Sequence, residues 1–244
     1  MSHIHIPDGV LPLWLWLTGW IVCVLWVGVV CAAGKRHWDL RRKVPLIAMV
    51  SALMILAMTF EILPLDYHLS LSVIAGIILG PFLAPLAALI TEVFLALIGH
   101  GGVTIVGLNT LILSVEMVVG WALFRSAQLL LRRLMGERVS LRVALAGAIA
   151  CLLALTLATS MTVGVVALAA PRLAAQQQAQ ENTHAEGSEQ LSLTTFIAVV
   201  ATLGPVGWTL ESAVTATALV YLNRLRPALI GQRSERPGVH DAAD

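Results

Sequence analysis

The residues best suited to chemistry lie at the start of the chain, where Met-Ser-His-Ile-His-Ile-Pro-Asp-Gly places His3 and His5 close to the terminal amine. An amine, a deprotonated backbone amide and an imidazole form a compact nitrogen chelate, which suits borderline divalent ions such as nickel or cobalt. We therefore predict a metal site at the amino terminus. The alternatives are an ordinary polar leader and histidines that rest in the headgroup region of a membrane.

Composition indicates the environment in which this site would lie. Hydrophobic residues make up 58% of the chain and charged residues 12%, with a mean hydropathy of +0.88. A typical soluble domain has about 25% charged residues. We predict a multi-pass protein of the cytoplasmic (inner) membrane. The first apolar run, Val10 to Ala33, is long enough to span a bilayer and no basic region precedes it, so we expect it to be retained rather than cleaved as a signal peptide.

The distribution of charge predicts the topology. Five basic residues lie between Gly34 and Lys43, and the positive-inside rule places this loop in the cytoplasm and the amino terminus outside. A second apolar run, Pro45 to Pro64, returns to the outer side. We therefore expect His68 on the same side of the membrane as His3 and His5.

The stretch Leu69 to Gly99 is either one tilted span or two short segments broken at Gly80-Pro81-Phe82-Leu83-Ala84-Pro85. The next span, Val103 to Phe124, runs into an arginine-rich segment that should be cytoplasmic, and two passes place it there whereas one does not. Short segments interrupted by Gly and Pro are typical of substrate sites in transporters, because irregular backbone at membrane depth is tolerated where it lines a cavity or is buried. We predict two short segments; one of them being re-entrant is an alternative.

Two more spans complete the predicted fold. Leu141 to Ala170 and Leu193 to Leu222 are joined by a polar external loop, 171–192, and a polar tail, 227–244, is expected to be disordered in the cytoplasm. The fold class is thus an all-α polytopic membrane protein with about seven transmembrane helices, the amino terminus outside and the carboxyl terminus inside. Residues 1–226 form a single transmembrane metal-binding domain, with an external leader at 1–9.

Several polar residues interrupt the apolar runs. A charged side chain at the centre of a membrane helix costs about 2.5–3.5 kcal/mol on insertion scales, so such groups lie near helix ends, are protonated or hydrogen-bonded, or line a pathway. This applies to Glu61, Glu92, Glu116 and Glu211. We expect Glu116 to make an internal polar contact with a structural role, and the role of Glu92 stays open. The three cysteines also lie in apolar runs and form neither a disulfide framework nor a metal motif.

A glycine-rich segment follows the second short segment. Gly99-His100-Gly101-Gly102 allows a tight turn that the predicted topology places at the outer surface, and Asn109 follows it. Two interpretations of His100 are open: it ligates a metal or orients a ligand, or it hydrogen-bonds carbonyl groups of the loop.

Three stretches in this order resemble the CbiM/NikM family, the substrate-capture (S) components of energy-coupling factor transporters for cobalt and nickel. They are His5-Ile6-Pro7-Asp8-Gly9, then His68-Leu69-Ser70-Leu71 with Gly76-Ile77-Ile78-Leu79-Gly80-Pro81, and then Gly99-His100-Gly101-Gly102-Val103-Thr104 with Gly107-Leu108-Asn109. The resemblance runs from the amino terminus to about Gly120 and is weak beyond it.

The resemblance implies a seven-helix bundle that captures Co²⁺ or Ni²⁺ at its external face, for cobalamin synthesis or for nickel enzymes. It implies a transmembrane coupling (T) subunit, two ATPase subunits and a small accessory membrane protein as partners, with no permanent cofactor. The family holds its metal with the terminal amine, the amide and imidazole of the second residue, and a histidine after the second helix. His68 matches that last histidine.

The leader departs from the family pattern. His5 matches the His-Ile-Pro-Asp-Gly motif, yet its position displaces the terminal amine from it. If Met1 is removed, Ser2 supplies the amine and His3 becomes the second residue. His3 and His5 are therefore competing ligands, and a site that uses both with His68 is a further alternative. We expect Asp8 to cap or turn the chain, and His100 and Asn109 to support the site.

No ATPase motif occurs in this chain. A phosphate-binding loop needs G-x-x-x-x-G-K-[ST], and neither Lys35 nor Lys43, the two lysines, has that context. Nor does a dense basic stripe predict nucleic-acid binding. The leading hypothesis is a metal-binding, non-enzymatic subunit of an importer. Alternatives are an intramembrane metal-dependent hydrolase, against which the absence of an H-E-x-x-H pair counts, a stand-alone metal permease, and a membrane scaffold.

Overall fold

The computed structural model describes residues 11–34, 40–62, 67–136, 138–181 and 193–230 of the 244-residue chain. Seven α-helices dominate these residues, together with one short antiparallel strand pair and two short 3₁₀ turns. The elements are α1 (Leu13–Gly34), α2 (Leu40–Thr59), β1 (Glu61–Ile62), β2 (Tyr67–His68), α3 (Ser72–Leu79), α4 (Ala84–Leu97), α5 (Val106–Met135), α6 (Val139–Glu181) and α7 (Leu193–Leu225), with the 3₁₀ turns at Val103–Ile105 and Pro227–Ile230.

The helices have the length and composition of membrane spans. Within the described ranges, three segments are long and apolar enough to cross a bilayer: Leu13–Gly34, Val103–Met135 and Val139–Ala169. The shorter apolar helices are Lys43–Thr59 and Ala84–Leu97. The predicted fold class, an all-α polytopic membrane protein, is confirmed. Many large apolar side chains of α1 and α2 are exposed, as expected of helices that face lipid.

The stretch from Leu69 to Gly99 consists of two short helices, as predicted. By helical rise α3 is about 12 Å long and α4 about 21 Å, each shorter than the hydrocarbon core of about 30 Å. The break is at Gly80, whose φ of 73° is one that residues with a side chain rarely adopt, and Pro81 follows it. Because α3 stops so early, the chain turns back within the bundle rather than crossing it in one piece.

Helix α5 is the centre of the bundle and packs against α1, α3, α4 and α6. Glycine permits its closest approach to α3, because a Cβ at Gly76 would overlap the backbone carbonyl of Met117. One turn further along, Gly120 lies against Val73, whose side-chain carbon would be 2.9 Å from a Cβ at that position. Two small residues thus bring α3 and α5 into backbone contact, as small residues do between membrane helices.

Two boundaries differ from the sequence prediction. Helix α6 continues to Glu181 and so includes the first half of the predicted loop 171–192; alanine and glutamine in this segment favour helix even where it is polar. The predicted disordered tail, 227–244, begins with a 3₁₀ turn, Pro227–Ile230, and Ile230 packs into the cluster between α3, α5, α6 and α7. Residues 231–244 lie outside the described residues.

The close contact between α3 and α5 gives a first prediction. Gly76→Ala places a methyl group against the Met117 carbonyl, so we expect the free energy of unfolding to fall by about 1–3 kcal/mol. Thermal unfolding of the detergent-purified protein measures this. Gly28→Ala is the matched control, because nothing lies within 4 Å of a Cβ there and alanine favours helix. Equal melting temperatures for the Gly76 and Gly28 variants would contradict the packing.

Candidate functional site

The strand pair β1–β2 ends at His68, which is the first predicted site residue in the described part of the chain. The pairing is antiparallel, with Glu61 opposite His68 and Ile62 opposite Tyr67. The sequence prediction of an all-α chain did not include this pair, which fixes the backbone at His68 between α2 and α3. His68 and Leu69 are half-buried, whereas Ser70 and residues 72–77 are buried.

His68 and His100 lie side by side. Their ring centroids are 6.0 Å apart and the ring planes meet at 83°, an edge-to-face arrangement. One residue precedes α3 and the other follows α4, so this proximity is a direct result of the chain turning back at Gly80. A single straight span from 69 to 99 would separate its ends by about 45 Å. The structure therefore brings these two predicted residues to one end of the bundle.

The glycine-rich loop holds His100 in place through its backbone. The N–H group of His100 donates to the Leu95 carbonyl at 2.9 Å, and the N–H of Gly99 donates to Ala96 at 3.2 Å. Gly99 and Gly101 have φ values of 85° and 112°. Both values lie where a side chain is strained, so glycine on each side of His100 allows this loop to form.

Helix α1 contacts the segment that follows this loop. The indole N–H of Trp20 donates to the Thr104 carbonyl at 2.9 Å. A Cβ at Gly107 would be 2.7 Å from the Cα of Trp20, so the two backbones touch. Asn109, predicted to support the site, lies one helical turn into α5 and is 8% exposed.

A buried polar cluster lies at the start of α3, immediately after His68 and Leu69 in the chain. Its members are Ser70, Ser72, Glu116 of α5 and Glu211 of α7, each at most 1% exposed. The Ser70 hydroxyl donates to Glu211 and the Ser72 hydroxyl donates to Glu116. The two hydroxyl oxygens are 2.9 Å apart. The internal polar contact predicted for Glu116 is confirmed, while Glu92 is also buried, at 3% exposed, on α4.

Glu211 reaches the backbone of the turn as well as its side chains. Its Oε1 accepts the N–H groups of Ser70 and Leu71, both at 3.1 Å. Leu71 has a φ of 53°, the one positive value of a residue other than glycine in the described ranges, which costs about 1–2 kcal/mol for an L-residue. The sequence prediction did not assign Glu211 to this turn. The available sequence signal was a pair of serines, Ser70 and Ser72, at the start of a strongly apolar segment.

The amino-terminal site residues lie outside the described residues: Ser2, His3, His5 and Asp8. In the described part of the chain, no group of three or more His, Cys, Asp or Glu side chains is arranged to hold a metal ion. The first described residue, Leu11, is buried in a cluster that also contains Ile105 and Leu108. The described chain therefore begins beside the residues that follow the His100 loop.

These features define a multi-pass membrane protein with a histidine pair close to a buried polar cluster. The family model described as "Cobalt uptake substrate-specific transmembrane region" (CbiM) matches residues 5–229, and the chain belongs to this family. The match extends well past Gly120, where the motifs of the sequence cease to resemble the family.

Solved structures support the fold assignment. The chain is similar to a protein whose structure is described as a transition metal transporter, with a TM-score of 0.70 and 21% identity over 91% of this chain and 93% of that one. It is also similar to a truncated transition metal transporter, with a TM-score of 0.66 and 19% identity over 91% and 99% of the two chains. A comparison with curated protein sequences finds no match.

The polar cluster gives a second prediction. Ser70→Ala removes the hydroxyl that bonds Glu211 and accepts the Ser72 N–H at 3.3 Å, leaving buried polar groups with fewer partners. We expect a loss of about 1–3 kcal/mol in the free energy of unfolding, measured by thermal unfolding. Ser160→Ala is the control, because that hydroxyl is exposed and bonds the carbonyl of Thr156 in its own helix. If both serine variants melt like the wild type, the cluster does not stabilise the fold.

Proposed function

We propose that this chain is the substrate-capture subunit of an energy-coupling factor importer for Co²⁺ or Ni²⁺, and that His68 ligates the ion together with nitrogen atoms of the amino-terminal leader. The observation that carries the proposal is the proximity of His68 and His100, with 6.0 Å between ring centroids. It supports the proposal because the histidine expected as a ligand and the loop expected to support it lie at one end of the bundle.

The position of Leu11, the first described residue, supports the same site. Leu11 packs in one cluster with Ile105, and Ile105 is five residues beyond His100 in the sequence. His5 is six residues before Leu11, and an extended chain of that length reaches about 20 Å. The proposed leader ligands are therefore joined by a short stretch of chain to the region that follows His100. Imidazole and amine nitrogens suit nickel and cobalt alike, so the donor set does not choose between them.

The identity of the leader ligand divides into two cases. With Met1 removed, Ser2 provides the amine and His3 the amide and imidazole; with Met1 retained, His3 is the third residue and His5 competes with it. Intact-mass analysis of the purified protein, run with metal quantification on His3→Ala and His5→Ala, assigns the ligand. Under this proposal Asp8 turns the chain into α1, and His100 and Asn109 support the bound ion from the glycine-rich loop.

The first test of the proposal is the removal of His68. His68→Ala deletes a ligand, so we expect Ni²⁺ or Co²⁺ affinity to fall about 100-fold or more, beyond the 10–100-fold typical of groups that only orient a ligand. Isothermal titration of the purified protein with each ion measures this. His240→Ala, which removes a histidine with no assigned role from the polar tail, is the control. Unchanged affinity in the His68 variant would refute the site.

The second test separates a subunit from a self-sufficient carrier. The sequence has no phosphate-binding loop, so under the proposal a coupling subunit and two ATPases drive uptake, with a small accessory membrane protein as a further partner. We expect cells to accumulate radioactive nickel or cobalt when they express this chain with those subunits, and only at background level when they express the chain alone. Uptake by the chain alone would identify a permease instead.

A further inference from the structure

The turn between β2 and α3, residues 68–72, is the segment that presents His68. It leaves the strand pair at His68, becomes fully buried at Ser70 and enters α3 at Ser72. Leu71 is the residue before α3 and has a φ of 53°, so the turn includes a conformation that its sequence does not favour. Such a conformation persists where the surrounding structure holds it.

The group that holds the turn comes from the other end of the sequence. Glu211 Oε1 accepts the backbone N–H groups of Ser70 and Leu71 and the hydroxyl of Ser70. The two N–H groups belong to the consecutive peptides Leu69–Ser70 and Ser70–Leu71, which set the direction of the chain immediately after His68. Three donors converge on one carboxyl oxygen that is buried in the bundle.

We propose that Glu211 is a positioning residue for metal capture, which fixes the 68–72 turn so that His68 faces the ion. This inference rests on the proposed function of His68 as a ligand. Groups that orient a ligand from outside the ligand shell are a general part of metal sites, and their removal typically costs 10–100-fold in affinity. Here the orientation acts through the backbone of the turn, two residues from the imidazole.

Glu116 provides a matched comparison within the same cluster. It is as deeply buried as Glu211, and it meets the turn through the side chain of Ser72. An amide oxygen at position 116 still accepts the Ser72 hydroxyl. At position 211 an amide replaces the carboxyl group that accepts two backbone N–H groups, so the same chemical change acts directly on the path of the chain.

The test measures Ni²⁺ and Co²⁺ binding to the full chain in a double-mutant cycle. We expect Glu211→Gln to weaken binding about 10-fold, and Glu116→Gln to weaken it less than about 3-fold. Because Glu211 acts through His68, Glu211→Gln in the His68→Ala background should cause no further loss. The visible absorption spectrum of bound Ni²⁺ in the Glu211 variant should also shift towards that of His68→Ala, which a general loss of stability would not produce.

Three results would overturn the inference while leaving the proposed function intact: wild-type affinity in Glu211→Gln, equal losses in the two Gln variants, or a further loss of affinity when Glu211→Gln is added to His68→Ala. Wild-type affinity in His68→Ala overturns both. Glu211→Asp retains the carboxyl group on a shorter side chain, and it serves as the second variant if Glu211→Gln does not fold. With the carboxylate withdrawn from the turn, Glu211→Asp should weaken binding in the wild-type background and cause no further loss in the His68→Ala background.

Discussion

The backbone between β2 and α3 depends on one carboxyl group that α7 contributes. Unsatisfied N–H groups inside a membrane protein cost several kcal/mol each, so irregular backbone at this depth needs acceptors from elsewhere in the protein. Glu211 Oε1 accepts the N–H groups of Ser70 and Leu71, which have no partner within a regular element. The free-energy cost of burying the carboxyl group is thereby offset by the pairing of two buried N–H groups that would otherwise lack these acceptors.

A second constraint is the early end of α3. Its residues pack against α5 through Gly76 and Gly120, and Gly80 and Pro81 prevent it from continuing. The chain then returns through α4 and places His100 beside His68. The short helix, the glycine contacts and the histidine pair are therefore parts of one arrangement, in which a helix too short to span the bilayer brings two distant segments to the same end of the bundle.

Much of the fold was predictable because it follows from hydropathy and charge, which act locally along the chain. The apolar runs are long enough to count as spans, and the Gly-Pro break at residues 80 and 81 indicates the interruption between α3 and α4. The end of α6 was less predictable. A polar segment rich in alanine and glutamine reads as a loop by hydropathy, yet it is helical because those residues favour helix whether or not lipid surrounds them.

For the candidate site, the sequence alone determined which histidines merit attention and which family the motifs resemble, since both depend on residue types at fixed spacings. Only the tertiary structure decided that His68 lies 6.0 Å from His100, and that Glu211 bonds the turn beside His68 from 140 residues away along the chain, counted from Leu71. The physical reason is that a glutamate in an apolar run does not show in the sequence which donors its carboxyl group will accept. The donors that it serves are backbone N–H groups, which every residue except proline carries, so their need for a partner appears only when the chain has folded.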